Sequence, residues 1–200
     1  MFTAVILAAG ESMRMGTAKQ VLPWRNSTVL ETVLKAVLNC CYVDDEVRVV
    51  LGGNYEQIIP FLSNYRDPRM KILLNNNYEN GMITSVWKGI ENVPNNSQYI
   101  LFTLGDMPLI SIETYNKLAK FAIKERVLIL APVYKNKRGH PLVVHKSQIK
   151  DIYDLEGPGG LRTLLSSHPE RVVFYEVDDE GTVIDLDTLE DYEKYLRYLL

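Results

Sequence analysis

The feature that most narrows the folds open to this chain is an alternation of short apolar runs, nearly free of polar interruption, with longer amphipathic stretches. The runs Thr3–Leu7, Val47–Leu51, Lys71–Leu74, Tyr99–Leu104, Val127–Val133, Pro141–Val144 and Val172–Val177 read as strands. Several are continuous rather than alternating, as expected of strands covered on both faces. The stretches between them carry helix signals. Thr28 and Glu31 are spaced as a capping box, followed by Val29, Val33, Val37 and Leu30, Leu34, Leu38 at helical spacing. Ser111 is placed to cap a helix with Tyr115, Leu118, Ala119 and Ala122 on its inner face. Thr188 is placed to cap another with Leu189, Tyr192, Leu196 and Leu199 on one side. Strand–helix alternation of this kind predicts an α/β fold, a mostly parallel sheet wrapped by helices. With no internal repeat, low-complexity linker or composition break, residues 1–200 read as one domain.

Two hundred residues can bury a core without covalent staples. The two cysteines, Cys40 and Cys41, are adjacent and offer neither a disulfide framework nor zinc-ligand spacing, so a reducing, cytoplasmic setting is expected. A formal net charge of −3 gives no footprint for nucleic acid or an anionic membrane. No apolar stretch approaches the ~20 residues of a membrane span. Any bound anion must therefore be held by a local site.

One such site begins at Leu7-Ala8-Ala9-Gly10-Glu11-Ser12-Met13-Arg14-Met15-Gly16, with Lys19 following. A strand runs into small residues, then a hydroxyl and two cations. Small side chains let backbone N–H groups approach phosphate oxygens, Ser12 can donate to an oxygen, and Arg14 and Lys19 can neutralise a polyphosphate. The Gly-Lys-Ser/Thr ending of a Walker A loop and the three-glycine dinucleotide fingerprint are both missing. The same residues are equally compatible with a strand-to-helix turn bearing surface cations.

The second signal is the run Leu101–Leu104 ending in Gly105-Asp106-Met107-Pro108. A carboxylate just past the carboxyl end of a strand lies where open α/β sheets bind ligands, and a hard oxygen ligand there suits Mg²⁺. Asp106 is also a turn former ahead of a proline. Asp187, in Asp185-Leu186-Asp187-Thr188, can complete a metal site or favour the amino end of the helix after Thr188.

Taken in order, these segments resemble the MobA-like nucleotidyltransferases, and among them the molybdenum cofactor cytidylyltransferase type. The pattern Leu-Ala-Ala-Gly-x-Ser-x-Arg-Met-Gly-x-x-Lys is matched from Leu7 through Lys19, with Leu22-Pro23 after it. Gly81-Met82-Ile83-Thr84-Ser85, Gly105-Asp106-Met107-Pro108, Arg138-Gly139-His140-Pro141 and Asp187-Thr188-Leu189-Glu190-Asp191 resemble the family's further motifs, so the likeness spans nearly the whole chain. It implies a single-domain Rossmann-like three-layer sandwich of the nucleotide-diphospho-sugar transferase kind. It also implies nucleotidyl transfer, cytidylyl in particular, from a nucleoside triphosphate to a phosphorylated molybdopterin-type acceptor, with Mg²⁺ as cofactor. Leu7, Ala8, Ala9, Gly10, Ser12, Arg14 and Lys19 would hold the triphosphate, with Gly81 and Ser85 beside the nucleotide. Arg14, Lys19 and Asp106 would be catalytic, and Asp106 and Asp187 would hold the metal. Arg138, His140 and Arg162 would face the acceptor. Ala9, where guanylyl enzymes more often carry glycine, motivates CTP over GTP.

Two positions depart from the family pattern. Pro158, in Gly157-Pro158-Gly159-Gly160-Leu161-Arg162, stands where an aspartate is usual, and Leu189 where a proline is usual. The first removes a carboxylate from the expected acceptor region, leaving open guanylyl transfer, another phosphorylated acceptor, or non-catalytic delivery of the cofactor to a molybdenum hydroxylase such as xanthine dehydrogenase. The retained Arg14, Lys19, Asp106 and Asp187 favour an enzyme.

Overall fold

The computed structural model describes residues 1–11, 17–157 and 159–197. Ten strands are present among them: β1 Phe2–Ala8, β2 Pro23–Trp24, β3 Ser27–Thr28, β4 Val47–Leu51, β5 Met70–Leu74, β6 Tyr99–Leu104, β7 Ile129–Tyr134, β8 Lys137–Arg138, β9 Leu142–His145 and β10 Val172–Glu176. The α-helices are α1 Val29–Leu38, α2 Tyr55–Leu62, α3 Met82–Ile90, α4 Ile112–Glu125, α5 Ile149–Tyr153, α6 Leu161–Ser167 and α7 Leu189–Arg197. All seven strands expected from sequence form, their ends moved by one or two residues at most.

The main sheet runs β10-β7-β9-β6-β1-β4-β5, with β8 paired to the end of β7 and β2–β3 forming a separate small hairpin. The β1–β4, β1–β6, β4–β5 and β7–β10 pairs are parallel. Only β9 runs against its neighbours β6 and β7 in the body of this sheet. One apolar cluster joins the sheet to α1, α2 and α4; the other covers the opposite face with α3, α5 and α6. That is the three-layer α/β sandwich of the nucleotide-diphospho-sugar transferase kind.

The helix starts form where side chains can serve the unpaired first-turn N–H groups. Glu31 N donates to Thr28 Oγ1 at 3.2 Å while Thr28 N donates to a Glu31 carboxylate oxygen at 3.0 Å, completing the capping box. Thr114 N donates to Ser111 Oγ at 3.2 Å, and the inner face of α4 is fully buried. Asp191 N donates to Thr188 Oγ1 at 3.1 Å, so Thr188 caps α7. The expected inner face of α7 needs one correction: Tyr192 and Leu196 pack on Trp24 and Leu186, but Leu189 is 52% exposed. The cluster under α7 is small, and the first turn projects past its edge; Leu199 lies outside the described residues.

The apolar strand β4 contains Arg48, which is buried. Its guanidinium donates to Gly89 O at 3.0 Å, Glu91 O at 2.6 Å and Asn92 O at 2.9 Å, and to the Glu46 carboxylate at 2.7 Å. The charge is accommodated because it serves carbonyls at and just beyond the carboxyl end of α3, where the helix leaves them unsatisfied.

Candidate active site

The chain steps from β1 to β4 on one side and has β6 on the other, so the sheet reverses its winding direction beside β1. A crevice opens at such a reversal, at the carboxyl ends of the strands. Leu7 pairs with Leu104 across that line, and Gly105 N donates to Leu7 O at 2.9 Å. The loop after β1 and the Gly105-Asp106 turn after β6 therefore emerge side by side.

The β1 loop is anchored through its carbonyls. Gln20, 2% exposed, donates from Nε2 to Ala8 O and Gly10 O, both at 3.3 Å. Gly53 N donates to Ala9 O at 3.3 Å, and Asn54 Nδ2 to Gly10 O at 3.2 Å. Three consecutive carbonyl oxygens that would otherwise repel an anion are thus engaged by protein donors. Gly52 must lack a side chain: a Cβ there would lie 2.6 Å from Ala9 O. Gln20, Gly52, Gly53 and Asn54 were not legible as site residues from spacing alone. The available signal was that Gly52-Gly53-Asn54 follows β4 just as Ala9-Gly10 follows β1.

Lys19 opens a short 3-10 turn over residues 19–21 and reaches the two acidic positions together. Its Nζ contacts Asp106 Oδ2 and donates to Asp187 Oδ1 at 2.9 Å. The aspartates are 81 positions apart in the sequence, and a backbone bond from Leu186 N to Asp106 O at 3.0 Å holds their segments together. Side-chain exposures of 13%, 14% and 38% for Lys19, Asp106 and Asp187 place the group in a partly dry crevice. Burial by itself would lower the Lys19 pKa, but the Asp106 and Asp187 carboxylates outweigh it, and the ammonium is held charged with its pKa raised. Asp106 Oδ1 is buried with no hydrogen-bond partner among the described residues, a carboxylate oxygen that a further cation would satisfy. Asp185 adds negative potential. Its side chain is exposed overall, yet loss of solvent at the carboxyl and the charges of Asp187 and Asp106 raise its pKa.

The other expected residues lie at the start of α3, in and just after β8, and in α6. Gly81 has φ +101 with open space where a Cβ would be, at the amino end of α3. The preceding turn touches the β1 loop, because Tyr78 Oη donates to Glu11 Oε1 at 2.8 Å. Ser85 lies one turn into α3, buried, its hydroxyl accepting from Asn75 Nδ2 at 3.0 Å. His140 lies within electrostatic reach of Arg162 and Asp185. Burial lowers its pKa to about 4, Arg162 pushing the same way and the Phe102 carbonyl and Asp185 opposing, so the imidazole is neutral at pH 7. His140 Nδ1 is buried without a hydrogen-bond partner among the described residues. Arg138 and Arg162 are exposed. Gly139 is pinned against the 180–183 turn: His140 N donates to Thr182 O at 2.8 Å, and a Cβ on Gly139 would lie 2.1 Å from that oxygen. Ser12, Arg14 and Pro158 lie outside the described residues.

The chain is 28% identical over 188 residues to a molybdenum cofactor cytidylyltransferase of Escherichia coli K12, covering 94% of this chain and 92% of that protein. It is 30% identical to the nicotine blue oxidoreductase of Paenarthrobacter nicotinovorans, covering 97% and 96%. Among solved structures, Rv0371c of Mycobacterium tuberculosis H37Rv superposes with a TM-score of 0.85 at 26% identity, over 98% of this chain and 97% of that one. That protein has also been solved in complex with manganese. Residues 4–172 match the MobA-like NTP transferase domain, and this chain belongs to that family.

Proposed function

We propose that the protein transfers a nucleotidyl group, cytidylyl in preference to guanylyl, from a nucleoside triphosphate to a phosphorylated molybdopterin-type acceptor, with Mg²⁺ as cofactor. The observation that carries this reading is the convergence of Lys19, Asp106 and Asp187 beside the Ala8–Gly10 backbone at the sheet's reversal point. An oxygen of the acceptor's terminal phosphate attacks the α-phosphorus, the bond from that phosphorus to the bridging oxygen breaks, and pyrophosphate leaves. A phosphate monoester is largely dianionic at neutral pH, so no protein base is required. Positioning and charge neutralisation supply the rate enhancement.

The residues fit a divalent cation: two carboxylates converge and one buried oxygen of Asp106 is unserved. When bound to Asp106 and Asp187, Mg²⁺ would supply charge neutralisation at the α-phosphate. Lys19, together with Arg14 by family resemblance, would hold the outer phosphates, and the anchored β1 loop would receive them through its backbone. By family resemblance, neutral His140 with Arg162 and Arg138 would face the acceptor.

The deciding experiment measures pyrophosphate release from CTP, GTP, ATP and UTP, with and without molybdopterin, in Mg²⁺. Molybdopterin-dependent release with the largest kcat/KM for CTP is expected. GTP used as well as CTP would remove the cytidylyl assignment. Because one relative carries an oxidoreductase name, the assay includes a reduced nicotinamide dinucleotide. Its oxidation by a heteroaromatic acceptor, without pyrophosphate release from any nucleotide, would overturn the transferase reading.

A further inference from the structure

Resting on the metal assignment just given, we infer that Lys19 is the resident counter-ion of the Asp106–Asp187 pair, and that a divalent cation gains these carboxylates only as the nucleotide's phosphates draw Lys19 away. Lys19 would then set the binding order: nucleotide and metal enter together, and metal alone is refused.

The geometry points this way in three respects. First, the ammonium binds one oxygen of each carboxylate, Asp106 Oδ2 and Asp187 Oδ1, so the same two groups cannot offer both of those lone pairs to Mg²⁺ while Lys19 stays. A second cation brought beside a buried ammonium is also repelled by it at short range. Second, Lys19 does not satisfy Asp106 fully: Asp106 Oδ1 is buried without a hydrogen-bond partner among the described residues, so that carboxylate can still take a further cation with Lys19 in place. Third, Lys19 can leave without moving the backbone. The adjacent Gln20 is fixed to Ala8 O and Gly10 O, whereas the lysine side chain is a flexible four-carbon stem with three rotatable donors. Phosphate oxygens held over the β1 loop are the natural exchange partner, since Ala8 and Gly10 are both anchored by Gln20, the residue next to Lys19. Mg²⁺ takes one or two carboxylates and draws its remaining oxygens from substrate phosphates and water, so the exchange provides what the protein alone does not. By linkage, whatever factor the nucleotide contributes to metal affinity, the metal returns to nucleotide affinity.

The test titrates Mn²⁺ into the nucleotide-free protein and follows bound metal by paramagnetic resonance, in wild type, Lys19→Met and Lys19→Arg. Circular dichroism and thermal melting establish that each variant is folded. Removing the ammonium is expected to tighten Mn²⁺ binding at least about tenfold, the size of one charge-assisted contact, while Lys19→Arg stays as weak as wild type. Equal Mn²⁺ affinity in wild type and Lys19→Met would overturn the inference, provided the wild-type ternary complex forms when CTP is added. If no protein-bound Mn²⁺ is detected in any protein even with CTP, the metal assignment itself falls, and this inference with it. A second measurement uses wild type alone: the Lys19 ¹⁵Nζ ammonium resonance, assigned by its loss in Lys19→Arg, should be protected from exchange in the free protein. CTP with Mg²⁺ should shift it, and Mg²⁺ alone at the same concentration should not. A shift with Mg²⁺ alone would overturn the inference independently of any substitution.

Discussion

At the scale of single residues, two ionisable side chains make measurable demands through their placement. Asp106 sits at the end of a buried strand, in contact with Lys19 through one oxygen and unserved at the other. Asp106→Asn keeps size and shape but removes the charge, so the fold should persist, as judged by circular dichroism. Turnover in Mg²⁺ should fall at least about a hundredfold, the scale of losing one electrostatic group at a reacting centre. Near-normal magnesium-dependent pyrophosphate release from the folded variant would remove Asp106 from the metal site. His140 makes a demand on stability. Its folded pKa of about 4 lies below the ordinary histidine value of 6.5, so below pH 6.5 the unfolded chain binds a proton that the folded chain does not. The stabilisation is therefore complete above pH 6.5 and is lost as pH falls toward 4, with a slope of at most ~1.4 kcal/mol per pH unit. His140→Gln should flatten that part of the denaturant-midpoint profile between pH 6.5 and 4; an unchanged slope would place the acid sensitivity elsewhere.

At the scale of elements, the β1 loop and α3 each depend on a side chain from another segment. Gln20 spans from its short turn to two loop carbonyls, Ala8 O and Gly10 O. Gln20→Met preserves the volume and abolishes the donors, leaving carbonyls to turn toward the space an anion would occupy. We expect triphosphate affinity to weaken about tenfold, corresponding to the ~1–3 kcal/mol of an unmet buried polar group, with much less effect on nucleoside affinity. Calorimetric titration with CTP and cytidine separates the two; equal weakening would mean that the bond serves general packing. Arg48 does the comparable task for α3. It neutralises carbonyls at that helix's carboxyl end and so fixes the helix whose amino end bears Gly81.

At the scale of the whole molecule, the site is a product of chain crossing. Lys19 and Asp187 are separated by 168 positions, and the segment carrying Asp187 is held by Leu186 on the Trp24 cluster and by its bond to Asp106 O. If residues 1–200 are one cooperative domain, that peripheral cluster must unfold with the main core. The two tryptophans report on the two places: Trp24 packs in the cluster with Leu186, and Trp87 packs against the α3–α5–α6 layer and donates to Ile152 O at 2.9 Å. In Trp24→Phe and Trp87→Phe, the remaining tryptophan's fluorescence midpoint in urea should coincide with that of far-ultraviolet dichroism. An earlier fluorescence transition in Trp87→Phe would make the Trp24–Leu186 cluster a separately melting unit.

Much of this architecture follows from local sequence, because strands buried on both faces need continuous apolar runs and capped helices need particular side chains at fixed spacing. The seven main strands, the caps at Thr28, Ser111 and Thr188, and the strand-end positions of Gly10 and Asp106 were therefore readable directly. Motif resemblance added the pairing of Asp106 with Asp187, which spacing alone left as a turn former and a helix start. Other features were decided only in three dimensions. The reversal of β9 depends on which strands it meets, not on its composition. Arg48 reads as an interruption of an apolar run until α3's carbonyls arrive above it. Leu189 fits a helical stripe, yet the surface beneath α7 ends before it. The anchoring of the loop by Gln20, Gly53 and Asn54, and the closing of Lys19 onto both aspartates, join groups far apart in the chain. Local periodicity carries no information about such contacts, because they exist only once the core has set the distances between strand ends.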